Sequence, residues 1–354
     1  MTEDSRPAQN AATDPPDPAR LERWLAAHVP GFAGPMTLTR FSGGQSNPTW
    51  RVDTPERAYV LRAKPRGALL PSAHAVDREF RVMGALAGSG VPVPEMRALC
   101  EDPEVMGRTF FVMEHVPGRI FFDQRLPDMS REERAAIFDD MNRVIARLHS
   151  LRPADVGLDD FGKHGAYMAR QVARWTKQYR ASETAPNPAM ENLIAWLPEH
   201  LPDERKVGII HGDFRLDNLM IHPTEPRIVA VLDWELSTLG DPMADFAYHA
   251  LSWRVSPDLF RGLAGVDFAA LGIPDERAYV ARYLERTGQD WPEAWEFYLA
   301  FSLFRIAAIL QGIAKRAEAG TAADPRAAET GALAVPLSEL AWDLARRAGG
   351  GRGA

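Results

Sequence analysis

Residues 207–218 read VGIIHGDFRLDN and residues 228–235 read IVAVLDWE. The apolar run 207–210 fits a buried strand, and it gives way to a tight polar turn holding Asp213 and Asn218. A second short strand begins after that turn. The next apolar run, 228–232, ends in Asp233. Three oxygen-bearing side chains are thus expected at the ends of adjacent strands, where they converge on one point. Phosphoryl transfer calls for such a set, because its transition state spreads negative charge over oxygens and catalysis is mostly positioning and neutralisation. One carboxylate takes the proton of the attacking hydroxyl. A second carboxylate and an amide oxygen hold magnesium, a hard cation that prefers oxygen ligands. Any one of these residues alone would more often be a turn or cap residue, so the ordered combination carries the reading.

Upstream, strand signals dominate. MTLTRF (36–41) alternates and ends in the polar, glycine-rich turn SGGQSN (42–47); TWRVD (49–53) and AYVLRA (58–63) follow, joined by TPER (54–57). An amphipathic helix is predicted before them, over 19–28, and another after them, over 73–87. The stiff connector VPVP (91–94) leads to two further strands near 96–100 and 109–115. Past residues 117–118 helical periodicity takes over, with helices predicted over 130–150, 163–181, 188–200, 241–252, 275–287, 291–317 and 330–347. The expected fold class is α+β in two lobes. Residues 1–19 form a disordered tail, 20–116 a small antiparallel-sheet N-lobe, 117–347 a larger and mostly helical C-lobe, and 348–354 a flexible end.

The chain has 354 residues, more than one compact core usually holds, and its 45% hydrophobic and 25% charged content is that of an ordinary globular protein. A net charge of −7 without a basic stretch argues against a nucleic-acid partner. The single cysteine, Cys100, supports neither an intramolecular disulfide nor a thiolate zinc site, so a reducing cytoplasm and an inert, buried thiol are expected. The N-terminal stretch is polar, acidic and proline-rich, so no secretory signal is expected there. The longest apolar run, 301–314, is broken by Arg305 and Gln311 and is too short to span a bilayer, so no membrane partner is expected.

The string HGDF, then DN after two further residues, then LDWE resembles the catalytic and metal-binding loops of the aminoglycoside phosphotransferase and choline kinase superfamily. These are small-molecule relatives of the protein kinases. The resemblance implies a protein-kinase-like fold with ATP and magnesium as cofactors, Asp213 as catalytic base, and Asn218 and Asp233 as metal ligands. Arg215 falls where protein kinases usually carry a lysine that meets the γ-phosphate. His211 reads as a scaffold residue of the loop. Ser42, Gly43, Gly44, Ser46 and Asn47 fall where such folds place a phosphate-covering loop; glycine lets backbone N–H groups approach phosphate closely, although an ordinary hairpin would read the same way. Arg62 stands in place of the lysine that holds the α- and β-phosphates, and Glu79 would orient it. Lys64, two residues on, is a competing cation. FFVMEHVPG (110–118) resembles the hinge strand, whose backbone at Glu114 and Val116 would meet adenine. Asp241 and Asp245 read as a helix cap and a loop brace.

Three strings, at 41–47, 69–80 and 304–313, resemble the kinase-like domain attached to acyl-CoA dehydrogenases of the member-10/11 type, with likeness over roughly 30–345. That resemblance implies a small-molecule hydroxyl acceptor on an acyl chain, such as a 4-hydroxyacyl-CoA or a hydroxy acid, phosphorylated ahead of elimination in company with an acyl-CoA dehydrogenase. Trp291, Trp295, Phe297, Tyr298, Phe301 and Phe304 would line an acyl site or, by their helical spacing, simply fill a core. Arg305, Lys315 and Arg316 would meet an anionic group, Arg305 being notable as a charge inside an apolar run. A polycationic aminoglycoside would instead want acids, and residues 291–316 carry only Glu293 and Glu296. A kinase of aminoglycosides or other small alcohols, and a non-catalytic nucleotide-binding pseudokinase, stay open as readings. The oligomeric state is not legible.

Overall fold

The structure, a computed structural model, describes residues 17–41, 47–65, 75–204, 206–322 and 324–350. Of the tails expected at 1–19 and 348–354, residues 1–16 and 351–354 lie outside the described residues, as do the glycine-rich loop residues Ser42, Gly43, Gly44 and Ser46, whereas residues 18–19 and 348–350 belong to helices. The chain divides into two compact units, Met1–Gly118 with Val229–Leu236 and Arg119–Ile228 with Ser237–Ala354.

In the first unit α1 (Pro18–His28) starts at Asp17, whose carboxylate accepts the N–H groups of Ala19 and Arg20, with Pro18 at the position that needs no donor. Five strands follow, β1 (Thr37–Arg40), β2 (Thr49–Asp53), β3 (Ala58–Ala63), β4 (Met96–Cys100) and β5 (Phe110–Glu114), interrupted by α2 (Val76–Leu86) and a single turn, α3 (Pro103–Met106). They form one antiparallel sheet in the order β1-β2-β3-β5-β4. Alternation along β3 sends Tyr59, Leu61 and Ala63 into a core with Leu21 and Leu25 of α1, Trp50 and Phe110. It turns Arg62, in register with Phe111 of β5, toward α2. Cys100 is buried in this core, and burial pushes its thiol up, as befits an inert residue.

The segment Val229–Leu236 corrects the expected C-lobe over 117–347, because it clusters with the first unit. Val231 donates its N–H to the Pro92 carbonyl at 2.9 Å, and the 3₁₀ turn Trp234–Leu236 packs on α2 with Trp234 fully buried. Asp233 is thereby delivered to the sheet and helix that carry Arg62 and Glu79.

The second unit is mostly helical. Its helices are α4 (Arg131–Ser150), α5 (Tyr167–Ser182), α6 (Pro188–Glu199), α7 (Pro242–Ala250), the single turns α8 (Pro257–Phe260) and α9 (Phe268–Leu271), then α10 (Glu276–Thr287), α11 (Trp295–Glu318), α12 (Ala327–Ala332) and α13 (Ala334–Gly350). A capping box between Ser130 and Glu133 begins α4. The strand Gly208–Ile210 pairs antiparallel with Thr238–Gly240, a three-residue strand too short to register as an alternation. The single helix expected over 330–347 is two, because Pro336 is tolerated in the first turn of α13 but not inside a longer helix. The central helix, α11, packs against α5, α7, α12 and α13. It has 24 residues, ten more than the apolar run 301–314, because the largely buried stretch 295–300 precedes that run and the polar turn 315–318 closes the helix. By length and composition it is apolar enough to cross a bilayer, yet 78% of its most apolar window is buried within the protein. Trp295, Phe297, Tyr298, Phe301 and Phe304 belong to that core, and only Trp291 is exposed.

Candidate active site

The loop after Ile210 is built from its backbone outward. The His211 and Gly212 N–H groups each donate to the Asp245 carboxylate at 2.8 Å, and His149 Nε2 lies 3.1 Å from it. Asp245 is fully buried. Burial works to raise its carboxyl, but the hydrogen bond and positive field of His149, with the His211 N–H, hold it below the ordinary range. Gly212 has φ +83°, a left-handed conformation that glycine adopts without cost, and the turn then presents Asp213. His211 Nδ1 accepts the Asp213 N–H at 3.2 Å, which makes His211 part of the loop scaffold.

The Asp213 carboxylate has a donor on each oxygen. Tyr248 Oη–H of α7 donates to Oδ1 at 2.7 Å, and Asn218 Nδ2 donates to Oδ2 at 3.0 Å and to the Asp213 carbonyl at 2.8 Å. With its nitrogen so committed, Asn218 turns its amide oxygen away from Asp213, as a cation ligand must. Arg215 lies 3.4 Å from Asp213 and 3.1 Å from Asp217. Arg305 Nη2 donates to the Gly212 carbonyl at 2.6 Å, and its guanidinium sits 4.7 Å from the Tyr248 ring centroid. That gives the charge inside the apolar run its partner. Lys315 and Arg316 do not join it: Lys315 Nζ donates to the Ala181 carbonyl at 2.7 Å, about 15 Å further along α11 at 1.5 Å per residue, and both side chains are exposed.

The first unit carries the other predicted residues. Arg62 Nε lies 2.9 Å from Glu79 Oε2, and Arg62 Nη2 donates to Asp233 Oδ1 at 2.7 Å. Lys64 is paired with Asp77 at 2.7 Å, so Arg62 is the cation that Glu79 orients. Asp233 has φ +62°, an uncommon conformation that Asp tolerates, and the buried Trp234, donating Nε1–H to the Val231 carbonyl, fixes the turn beside it. Asn47 departs from its expected place as a phosphate donor. It is fully buried, and its amide donates to Glu79 Oε1 at 2.9 Å and to Glu235 Oε2 at 3.4 Å, so it braces carboxylates. At the end of β5 the Glu114 N–H is given to Glu95 and the His115 N–H to Ala58, while Val116 is half-buried.

One guanidinium here faces Glu79, Asp233 and Glu235. Burial raises the Glu79 carboxyl to about 7, with Asp233 and Glu235 adding to the rise and Arg62 opposing it. Folding therefore takes up a proton at Glu79 between its ordinary 4.5 and about 7. The stability linked to that proton is fully present below 4.5 and lost as pH rises through about 7. Glu79→Gln does not titrate. Thermal melts at about pH 5 and about pH 8 are expected to show the wild type losing ground to the variant at the higher pH, and an unchanged difference would mean a carboxylate ionised throughout.

A model of the phosphotransferase enzyme family matches residues 37–301. The chain belongs to that family. Mouse acyl-CoA dehydrogenase family member 10 is 48% identical over 348 residues, which is 98% of this chain and 32% of that protein. Rat acyl-CoA dehydrogenase family member 11 is 42% identical over 337 residues, 92% of this chain and 43% of that one. The chain thus spans less than half the length of these relatives. A crystal structure from Ralstonia eutropha, provisionally titled an aminoglycoside phosphotransferase, is 55% identical with a TM-score of 0.88, covering 94% of this chain and 99% of its own. Choline kinase from Cryptosporidium parvum, 12% identical with a TM-score of 0.60 and covering 94% and 96%, shares the fold.

The phosphotransferase family's usual groups, ATP and magnesium, fit the residues present. An excess of carboxylate over guanidinium at Arg62 favours an added cation, and Asp233 in that unit and Asn218 in the other are each hard oxygen donors. Among the described residues no three His, Cys, Asp or Glu side chains gather into a metal cage. Magnesium suits oxygen donors of this kind, since it completes its shell with waters and phosphate oxygens. Two residues of this machinery escaped the sequence reading. Tyr248 lies three residues after Asp245 on α7, a spacing that shares a helical face, and His149 lies at the end of α4 with nothing local to mark it.

Proposed function

We propose that this phosphotransferase is an ATP- and magnesium-dependent kinase of a small-molecule hydroxyl, and that the hydroxyl is carried by a hydroxyacyl-CoA or a hydroxy acid. The observation that carries the reading is Asp213, a carboxylate fixed at both oxygens on a loop whose backbone is pinned to Asp245. Asp213 takes the acceptor's proton as its oxygen bonds to phosphorus. Bound ATP would supply the γ-phosphoryl group, its bond to the β-phosphate oxygen breaking as ADP leaves, and bound magnesium would neutralise charge on the phosphates. Asn218 and Asp233 would hold the metal, Arg62 the α- and β-phosphates, Arg215 the γ-phosphate, and the Glu114 and Val116 backbone the adenine.

An acyl acceptor is favoured by the names of the two relatives and by the surroundings of Asp213. A pocket of about 50 Å³ lies beside Tyr248 and Arg215, walled by Phe122, Leu251, Val255 and Ile306, with Arg261 and Asp217 also on its lining. Apolar walls with two arginines against one carboxylate suit the end of an acyl chain near an anionic group better than a polycation. An acyl-CoA dehydrogenase is the proposed partner, taking the phosphorylated chain on to elimination, and the cytoplasm is the proposed compartment. The test is ADP release with magnesium and ATP over 4-hydroxyvaleryl-CoA, 4-hydroxyvalerate, choline, glucose and kanamycin. Hydroxyacyl-CoA is expected to give the highest kcat/KM. Preference for kanamycin would replace the acyl reading, and nucleotide binding without turnover on any acceptor would favour the pseudokinase.

A further inference from the structure

Tyr248 lies outside both the HGDF and the LDWE strings, yet its hydroxyl makes the shortest contact to Asp213, 2.7 Å to Oδ1. It shares a face of α7 with Asp245, so one helix both pins the loop backbone and supplies a donor to the carboxylate that the loop presents. The ring is itself held. Arg305 stacks 4.7 Å from its centroid and is tied to the Gly212 carbonyl at 2.6 Å, so ring and loop move together. Burial, reinforced by the Asp213 charge, pushes the phenol far above its ordinary range, so Tyr248 stays a donor.

We propose that Tyr248 is a positioning residue for Asp213. By occupying Oδ1 it fixes the plane of the carboxylate and leaves Oδ2, whose Asn218 donor sits further away at 3.0 Å, as the oxygen that receives the acceptor's proton. The inference rests on Asp213 being the base. Near-attack geometry is sensitive to small rotations of such a group, so losing one charge-assisted hydrogen bond should act on turnover and not on nucleotide affinity.

Tyr248→Phe removes one oxygen and keeps the ring. With 4-hydroxyvaleryl-CoA and magnesium ATP, its kcat is expected to fall about tenfold while KM for ATP stays within about twofold. In protein labelled with ¹³Cγ-aspartate, the Asp213 resonance, assigned by its loss in Asp213→Asn, is expected to move in Tyr248→Phe at fixed pH. A wild-type kcat, or an unmoved resonance, overturns the inference. If Asp213→Asn is inactive and Tyr248→Phe is not impaired, Tyr248 alone is misread; if Asp213→Asn turns over normally, the base reading fails and takes this one with it. If the wild type ignores 4-hydroxyvaleryl-CoA, the acyl reading fails and the resonance decides. Should Tyr248→Phe not fold, Arg305→Lys loosens the ring with the hydroxyl intact, and a kcat fall of about threefold at unchanged KM for ATP is expected, a wild-type kcat counting against the proposal.

Discussion

Asp213→Asn is expected to lower kcat by about a thousandfold, the scale of losing a positioned general base, while affinity for magnesium ATP changes by less than about twofold. The substitution keeps the volume of the side chain and removes its charge. Asp213 accepts from Tyr248 on one oxygen and from Asn218 on the other. An asparagine offers one acceptor and one donor, so one of those two contacts must be given up or reversed. Tyr248 has the means to adapt, since a hydroxyl donates or accepts, and the loop backbone remains pinned by Asp245 through the His211 and Gly212 N–H groups. The fold is therefore expected to survive with the chemistry lost. Steady-state ADP release gives kcat, and titration with a fluorescent ATP analogue gives affinity. Full turnover by the variant would remove Asp213 from the base role, and an equal loss of nucleotide affinity would mean that it works in binding.

Much of the site is legible in short-range pattern. TWRVD and AYVLRA became β2 and β3 with no residue gained or lost, because alternation with β-branched and aromatic residues between turn signals is a local property. The same alternation places Arg62 on the face opposite Leu61, and from there the pairing with Glu79 follows once α2 is docked. What the pattern does not hold is which of several polar groups is buried by distant chain. Asn47 stands in a polar, glycine-rich string that suggests exposure, yet Glu79 and Glu235, 32 and 188 residues away, claim its amide. The segment 229–236 is apolar like the strands of the second unit and goes with the first because of Trp234 and Pro92, neither of which signals a partner locally. Arg305 stands out by its odd position in an apolar run, and burial of a charge does require a partner. The identity of that partner, the Gly212 carbonyl, required the fold.

The second large effect is expected at Asp245, and it is one of stability. This carboxylate is buried and receives the N–H groups of His211 and Gly212 and the imidazole of His149. Asp245→Ala leaves all three without their acceptor in a dry environment, and a loss of about 3–5 kcal/mol is expected, the scale seen when one partner of a buried charged network is removed. Asp245→Asn is isosteric but carries one acceptor oxygen against two backbone donors, so it should fall between the wild type and Ala. The pH dependence separates this account from a simple packing defect. The folded state holds the Asp245 carboxyl below its ordinary value of 3.8, so the unfolded chain binds the proton more readily. Its contribution is present above that ordinary value and is lost as pH falls through the lower, folded one. Urea unfolding at pH 7 and at about pH 3 is expected to give a large gap between wild type and Asp245→Asn at neutral pH and a smaller gap in acid. A cavity or a misfit would give a gap that does not depend on pH. Because His211 and Gly212 immediately precede Asp213, the fraction of variant that stays folded should also show kcat reduced more than KM for ATP, since the base is displaced while Arg62, Glu79 and Asp233 in the other unit keep their contacts.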